Sequence, residues 1–274
     1  MKRSWNSIKK HYEEEKQMAE KLKNASRSER RQLYSRFYTE QISQTPDHPQ
    51  RDFDIDKRRN IMSRNLQIIR HFLKPGGTFV EIGAGDAALT IKVAQRAGEV
   101  IAVDVTDALI KEKDLPDNFS LIISDGVDLG LAPGCADLVF SHQLMEHLHP
   151  EDATGQLKSI YEALKPKGYY ICITPSRIYG PHDVSKYFDD KATGFHLKEY
   201  TYYELERLFR SAGFKTLRAV VPVGKKIIRW PLFLPKMCEH RLEKMHRKKR
   251  LKIASFPLFK LLLGGSNIRL IAGK

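Results

Sequence analysis

Short apolar runs alternate along this chain with longer segments whose apolar positions recur every three or four residues. The short runs read as buried strands and the periodic segments as helices. Residues 78–82 form the first run, and residues 88–97 the helix after it, stopped by Gly98. A second strand is predicted over residues 100–105, after which Thr106-Asp-Ala-Leu-Ile-Lys-Glu opens a short capped helix. Strands follow at 119–124, 136–141 and 169–174, with a helix at 151–164 between the last two. A helix at 198–212, ended by Gly213, and a strand at 215–221 complete the series. Such alternation predicts an α/β fold built on a doubly wound parallel sheet with right-handed crossovers.

Two stretches stand outside the alternation. Residues 5–43 read as helical, with Leu22, Leu33, Phe37 and Ile42 set among Glu, Lys and Arg, and are expected to fold back over the sheet edge. Thr45-Pro-Asp-His-Pro-Gln50 is a loop by its two prolines, and Asp56 is placed to cap a helix over 57–72 striped with Ile61, Leu66, Ile69 and Phe72. Residues 1–60 are therefore a helical extension ahead of a domain spanning 61–274. Residues 224–266 form the other stretch, a helical insertion that delays the seventh and last strand to residues 267–274.

Chemistry concentrates after the first strand, in Thr78-Phe-Val-Glu-Ile-Gly-Ala-Gly-Asp-Ala-Ala-Leu89. A strand, a turn with Gly83 and Gly85, and a helix start bring bare backbone and unpaired N–H groups against a ligand. Gly83-Ala-Gly85-Asp-Ala-Ala88 also fits the dinucleotide fingerprint G-x-G-x-x-G/A. Glu81 opposes that reading, since a carboxylate at the strand mouth suits a cationic or hydroxyl-bearing ligand and repels a pyrophosphate.

Glu81-Ile-Gly83-Ala-Gly85-Asp-Ala87 resembles the (D/E)-x-G-x-G-x-G motif of the class I S-adenosylmethionine-dependent methyltransferases, with Ala87 in place of the last glycine. Asp104 closes the second apolar run and Asp125-Gly126 the third, at the strand ends where open parallel sheets hold ligands. The resemblance implies S-adenosylmethionine as cofactor, with Glu81 near its methionine part, Asp104 and Val105 at the ribose, Asp125 and Gly126 at the adenine, and Gly83, Ala84 and Gly85 as the cradle. It also implies a last strand running antiparallel beside the fifth and sixth. In the ubiquinone and menaquinone enzymes that the chain resembles, the segment after the fourth strand lies by the methyl donor, which brings in Ser141 and His142.

Composition narrows the setting. With 274 residues and 41% hydrophobic content, the chain can bury a core, and three scattered cysteines suit a reducing, cytoplasmic setting. The N-terminus lacks the apolar stretch of a secretory signal, and the densest apolar segment, residues 256–263, is too short and broken to cross a membrane. The net charge of +14 is uneven: residues 1–36 carry 11 Lys/Arg against 5 Asp/Glu, and residues 225–252 carry 11 against 2. The core between them is near neutral, so partners for the basic excess are sought at the appendages. Bulky apolar residues interleaved with the second basic run suit peripheral contact with an anionic membrane; nucleic acid is the weaker reading, the aromatics being few and bunched beside prolines.

Methyl transfer from a sulfonium needs alignment and desolvation, and a base only for a weak nucleophile. His142, His147, His182 and His196 are the candidates for that base. No metal is expected, because His142 and His147 are five positions apart, on different helix sides, and no nearby cysteine or carboxylate cluster completes a set. Residues 175–197, long, aperiodic and placed after the fifth strand, are expected to form part of the acceptor pocket. Adjacent His182 and Asp183 project to opposite sides of an extended chain and do not make a pair. Three function classes remain: a methyltransferase of a small-molecule, lipid-linked or glycan acceptor, which the residues favour; an RNA or protein methyltransferase; and an NAD-dependent oxidoreductase. Ser141-His142-Gln143-Leu144 differs from the (N/D)-P-P-(Y/F) tetrapeptide of many nucleic-acid amino methylases, and Glu81 with Asp125 disfavours the oxidoreductase.

Overall fold

The computed structural model describes residues 4–44, 55–110 and 114–274; the side chains of 40–44 are outside this description, as is the loop expected at 45–50. Helices α1 (Trp5–Asn24) and α2 (Arg27–Gln44) lead to α3 (Ile55–Phe72), β1 (Thr78–Ile82), α4 (Ala88–Ala94) and β2 (Glu99–Asp104). The chain continues through β3 (Phe119–Ile123), β4 (Ala136–His142), α5 (Pro150–Ala163), β5 (Leu164–Pro175), α6 (Tyr202–Ser211) and β6 (Thr216–Val223). It ends in β7 (Lys226–Pro231), α7 (Phe233–Glu243), α8 (Arg247–Ala254), α9 (Pro257–Leu263) and β8 (Asn267–Gly273).

The strands form one sheet in the order β3-β2-β1-β4-β5-β8-β6-β7. Strands β1 to β5 are mutually parallel, and β8 runs antiparallel between β5 and β6, as expected of the last strand. Side-chain alternation feeds two cores. Val80, Ile82, Ile101, Val103 and Val139 face α1, α2, α5 and α6, while Phe79, Val100, Leu138 and Phe140 face α3 and α4.

The sheet has eight strands where seven were expected. The extra strand lies in the insertion: β6 turns through Gly224-Lys225, with Gly224 at φ +55°, and pairs Val223 with Lys226 in a hairpin. Ile227, Ile228 and Trp230 carried that signal, masked by the surrounding charge. The rest of the insertion is helical, in three helices around a small core of Leu242, Ala254 and Leu263 against Ile178.

The N-terminal stretch is two helices, because Ser26 and Glu29 form a capping box: Glu29 accepts from Ser26 N at 2.8 Å and Ser26 Oγ accepts from Glu29 N at 3.4 Å. These helices cross the C-terminal ends of the central strands instead of the sheet edge. Buried Arg30 donates to Asp152 Oδ2 on α5 at 2.6 Å, and Tyr34 hydroxyl donates to the same oxygen at 2.9 Å. Asp152 is wholly buried, so its charge fixes α2 over this end of the sheet. After Thr106 the described residues form a turn at 108–110, with 111–113 outside the description. Helix α6 starts at Tyr202, later than the periodicity suggested, because Thr201 and Glu204 close a capping box there.

Candidate active site

The turn after β1 takes three left-handed residues, Gly83 at φ +70°, Gly85 at +54° and Ala87 at +53°. A Cβ on Gly83 would stand 3.2 Å from Leu144 Cδ1. Ala87 holds a conformation that costs a non-glycine residue about 1 kcal/mol. Its wholly buried methyl group, packed in a cluster with Ala84, Ala102 and Ile110, offsets that by about 0.8 kcal/mol. This explains why alanine is tolerated in a glycine's place. Asp104 Oδ2 accepts from Gly85 N at 2.8 Å and Oδ1 from Val105 N at 2.7 Å, so the second acid braces the turn that the first strand presents.

A cavity of about 560 Å³ opens over this turn. Its walls include Glu81, Gly83, Ala84, Gly85, Asp104, Val105, Gly126, His142 and His147, along with Tyr34 and Tyr38 from α2 and Asn65 from α3. Gln156 Nε2 donates to Gly126 O at 2.7 Å and holds the third strand's turn in place.

Two of the expected cofactor residues lie elsewhere. Ser141 is wholly buried, its Oγ 2.7 Å from Tyr170 hydroxyl within the core. It is the residue of β4 that points away from the cavity, while the next, His142, points in. Asp125 Oδ1 accepts from Val127 N and Asp128 N at 2.8 and 2.7 Å, and Oδ2 pairs with Arg31 at 2.9 Å. It shapes the turn after β3, whose Gly126 is the residue that reaches the cavity.

The four candidate histidines divide similarly. His142 and His147 line the cavity, and burial pushes their pKa values down to about 4 and about 3, so both rings are neutral. His182 Nε2 lies 3.0 Å from Ser176 O, outside the cavity lining. His196 packs edge-on behind His147, ring centroids 5.0 Å apart. Burial works against its charge, but the hydrogen bond to Glu199 and the nearby Glu146 and Asp183 outweigh it and raise its pKa to about 8. Glu146, a residue the motif reading passed over, is wholly buried between them. Asp183 serves the loop, accepting from Ser185 N, Gly194 N and His196 N.

Glu81 is 5% exposed and accepts a hydrogen bond from Thr90. Burial pushes its pKa up to about 8 despite Thr90, with Asp86 and Asp104 adding to the rise. A proton or a cationic ligand group is what this position takes at neutral pH.

Residues 80–172 match the family profile described as a methyltransferase domain. Residues 80–172 thus carry a methyltransferase domain, as the Glu81–Ala87 motif led one to expect. Over 101 residues it is 33% identical to phosphoethanolamine N-methyltransferase 1 of Triticum aestivum, covering 34% of this chain and 20% of that protein. Over 58 residues it is 50% identical to ribosomal RNA small subunit methyltransferase A of Dehalococcoides mccartyi, covering 19% and 20%. The chain thus spans about a fifth of the length of these curated relatives. Among solved structures, a SAM-dependent methyltransferase from Archaeoglobus fulgidus superposes with a TM-score of 0.54 at 20% identity, covering 79% of this chain and 94% of that one. That likeness is one of fold. The inserted β7 and the helices α7 to α9 contribute none of the cavity's lining residues; the helices pack against Ile178 and Tyr179 and buttress the loop after β5.

Proposed function

We propose that this protein transfers the methyl group of S-adenosylmethionine to an uncharged small molecule, or to the reactive end of a lipid-linked molecule or glycan. The observation that carries the reading is the convergence, in one cavity, of the left-handed cradle after β1, the Asp104 carboxylate after β2, Gly126 after β3 and two neutral imidazoles after β4. The donor set fits the cofactor: Asp104 is an acceptor for ribose hydroxyls, and Glu81 is an acid whose buried charge an ammonium group would stabilise. When bound, S-adenosylmethionine supplies an already activated methyl group on a sulfonium. His142 and His147 exclude water without placing a positive charge beside that sulfonium, and Tyr38 and Leu144 narrow the approach to one line.

Arg58 is the lining cation, and it is paired with Asp86. Asp104 makes the remaining ionisable wall acidic, which disfavours a phosphate-bearing acceptor in this cavity and is why the relatives' substrate is not carried over. The insertion supports a peripheral role at an anionic bilayer: Phe233, Met237, Phe256 and Leu258 are exposed among the basic residues of 225–260. Titration calorimetry with S-adenosylhomocysteine and with NAD tests the core of the reading; binding of NAD alone would overturn it. Salt-dependent RNA binding coupled to methylation would move the acceptor to the nucleic-acid class.

A further inference from the structure

Behind the cavity wall lies a buried group of acids and imidazoles that the methyltransferase reading does not use. Glu146, His147 and His196 each offer a potential ligand atom, and these atoms lie within 4.8 Å of one another. The two rings are held alike. His147 Nδ1 is 3.1 Å from Phe195 O, and His196 Nδ1 is 2.9 Å from Glu199 Oε1. A carbonyl or carboxylate at Nδ1 keeps a proton there, so Nε2 is the nitrogen each ring offers an ion, as a free electron pair on His147 and, on His196, once the ion displaces its second proton. Glu146 is held through one oxygen, Oε2, by Thr174 Oγ1 at 2.9 Å; its other oxygen, Oε1, is buried with no hydrogen-bond partner. An uncompensated buried carboxylate oxygen is costly, and here it is a third donor in reach of the two imidazoles.

We propose that Glu146, His147 and His196 bind a divalent first-row transition ion. Two imidazoles and one carboxylate suit Mn²⁺, Fe²⁺, Co²⁺ or Zn²⁺ better than the all-oxygen preference of Mg²⁺ or Ca²⁺. Around an ion at about 2.1 Å, ligand atoms stand roughly 3–3.5 Å apart. Small side-chain rotations draw the three atoms in from their present spacing. Glu15, Asp183 and Glu199 add negative charge around the rings and favour a cation there. Three protein ligands leave open positions, and because His147 also lines the cavity, those positions are at the acceptor's side.

The role deepens, and rests on, the methyltransferase reading. An acceptor hydroxyl on the ion loses its proton to solvent, and its oxygen pair forms the new C–O bond as the C–S bond breaks and sulfur keeps the electrons.

The test uses the full chain after chelator dialysis, with Mn²⁺ followed by electron paramagnetic resonance and Zn²⁺ by calorimetry, and S-adenosylhomocysteine titrated separately. One equivalent of ion should bind the wild type. Glu146→Gln and His196→Gln should each weaken it about 100-fold, and Glu199→Gln about 10-fold. Retained S-adenosylhomocysteine affinity reports that each variant is folded. Absence of stoichiometric binding by the wild type, or equal binding by folded Glu146→Gln and His196→Gln, would overturn the site. Loss of S-adenosylhomocysteine binding in the wild type would instead overturn the methyltransferase reading and leave the ion measurement standing.

Discussion

Raising the pH from 6 to 8 should tighten S-adenosylhomocysteine binding, and Glu81 sets the size of the effect. Its carboxyl is held up to about 8 by burial, while the ligand's ammonium group is best met by the ionised form. Only the deprotonated fraction of free protein is then competent, about one part in ten at pH 7 and one in a hundred at pH 6, so apparent affinity should fall about tenfold for each unit below 8. Above the plateau the profile turns over as the ligand's own amino group loses its proton. Binding at pH 7 should release about 0.9 proton, measurable by calorimetry in buffers of different ionisation enthalpy. In Glu81→Gln the profile should be flat between pH 6 and 8. Affinity independent of pH in the wild type, with no proton released, would refute the argument. Stability of the free protein runs the other way. The folded pKa lies above the unfolded value, so the native state holds the extra proton and stability declines as pH rises from about 4.5 through 8. Bound ligand should remove much of that decline.

Asp104→Ala should weaken S-adenosylhomocysteine by about 1–3 kcal/mol in the same calorimeter, towards the upper end because Gly85 and Val105 also lose their acceptor; unchanged affinity would remove Asp104 from the site. Arg30→Ala leaves buried Asp152 with only the longer 3.9 Å pair to half-exposed Arg27 and should destabilise the fold by about 3–5 kcal/mol in denaturant unfolding, while a loss below 1 kcal/mol would mean that Arg27 and Tyr34 satisfy the acid. The protein should sediment with anionic vesicles more than neutral ones, less so at high salt, and Phe233→Ser with Leu258→Ser should reduce it; equal partition at low salt would leave the insertion as a buttress.

The cofactor half of the site was legible because each of its parts is local. A strand, a glycine turn and an acid at a strand end are contiguous in sequence, and Glu81 through Ala87 carry their own geometry. Ser141 and Asp125 stand outside the cavity lining for a local reason too: one residue of strand alternation decides which side chain faces the cavity, and an acid followed by glycine is a good turn-former. The rest of the cavity wall was illegible because it is assembled from distant residues. Nothing in Gln143-Leu-Met-Glu146-His147 announces that His196 will come to lie against it, and the apolar positions of α2 do not announce that Tyr34 and Tyr38 will wall a cavity. The hairpin strand β7 was hidden by a different cause, a basic composition that outweighed a short β-branched run.

The first helix has an awkward place in time. Its inner face has little to pack against except segments made much later: Tyr12 hydroxyl donates to Asp189 at 2.7 Å, Tyr12 stacks on Phe188, and Glu15 accepts from Phe195 N at 3.1 Å. On a ribosome, α1 emerges first, and at about 5–20 residues per second the roughly 165 residues between its end and Phe188 take about 8–33 seconds to follow. In that interval the contacts of Tyr12 and Glu15 with residues 188–195 cannot form, although Ala19 and Leu22 of the same helix are wholly buried in the finished protein. The first element to be made thus completes its packing only after β5 and the loop behind it have been made.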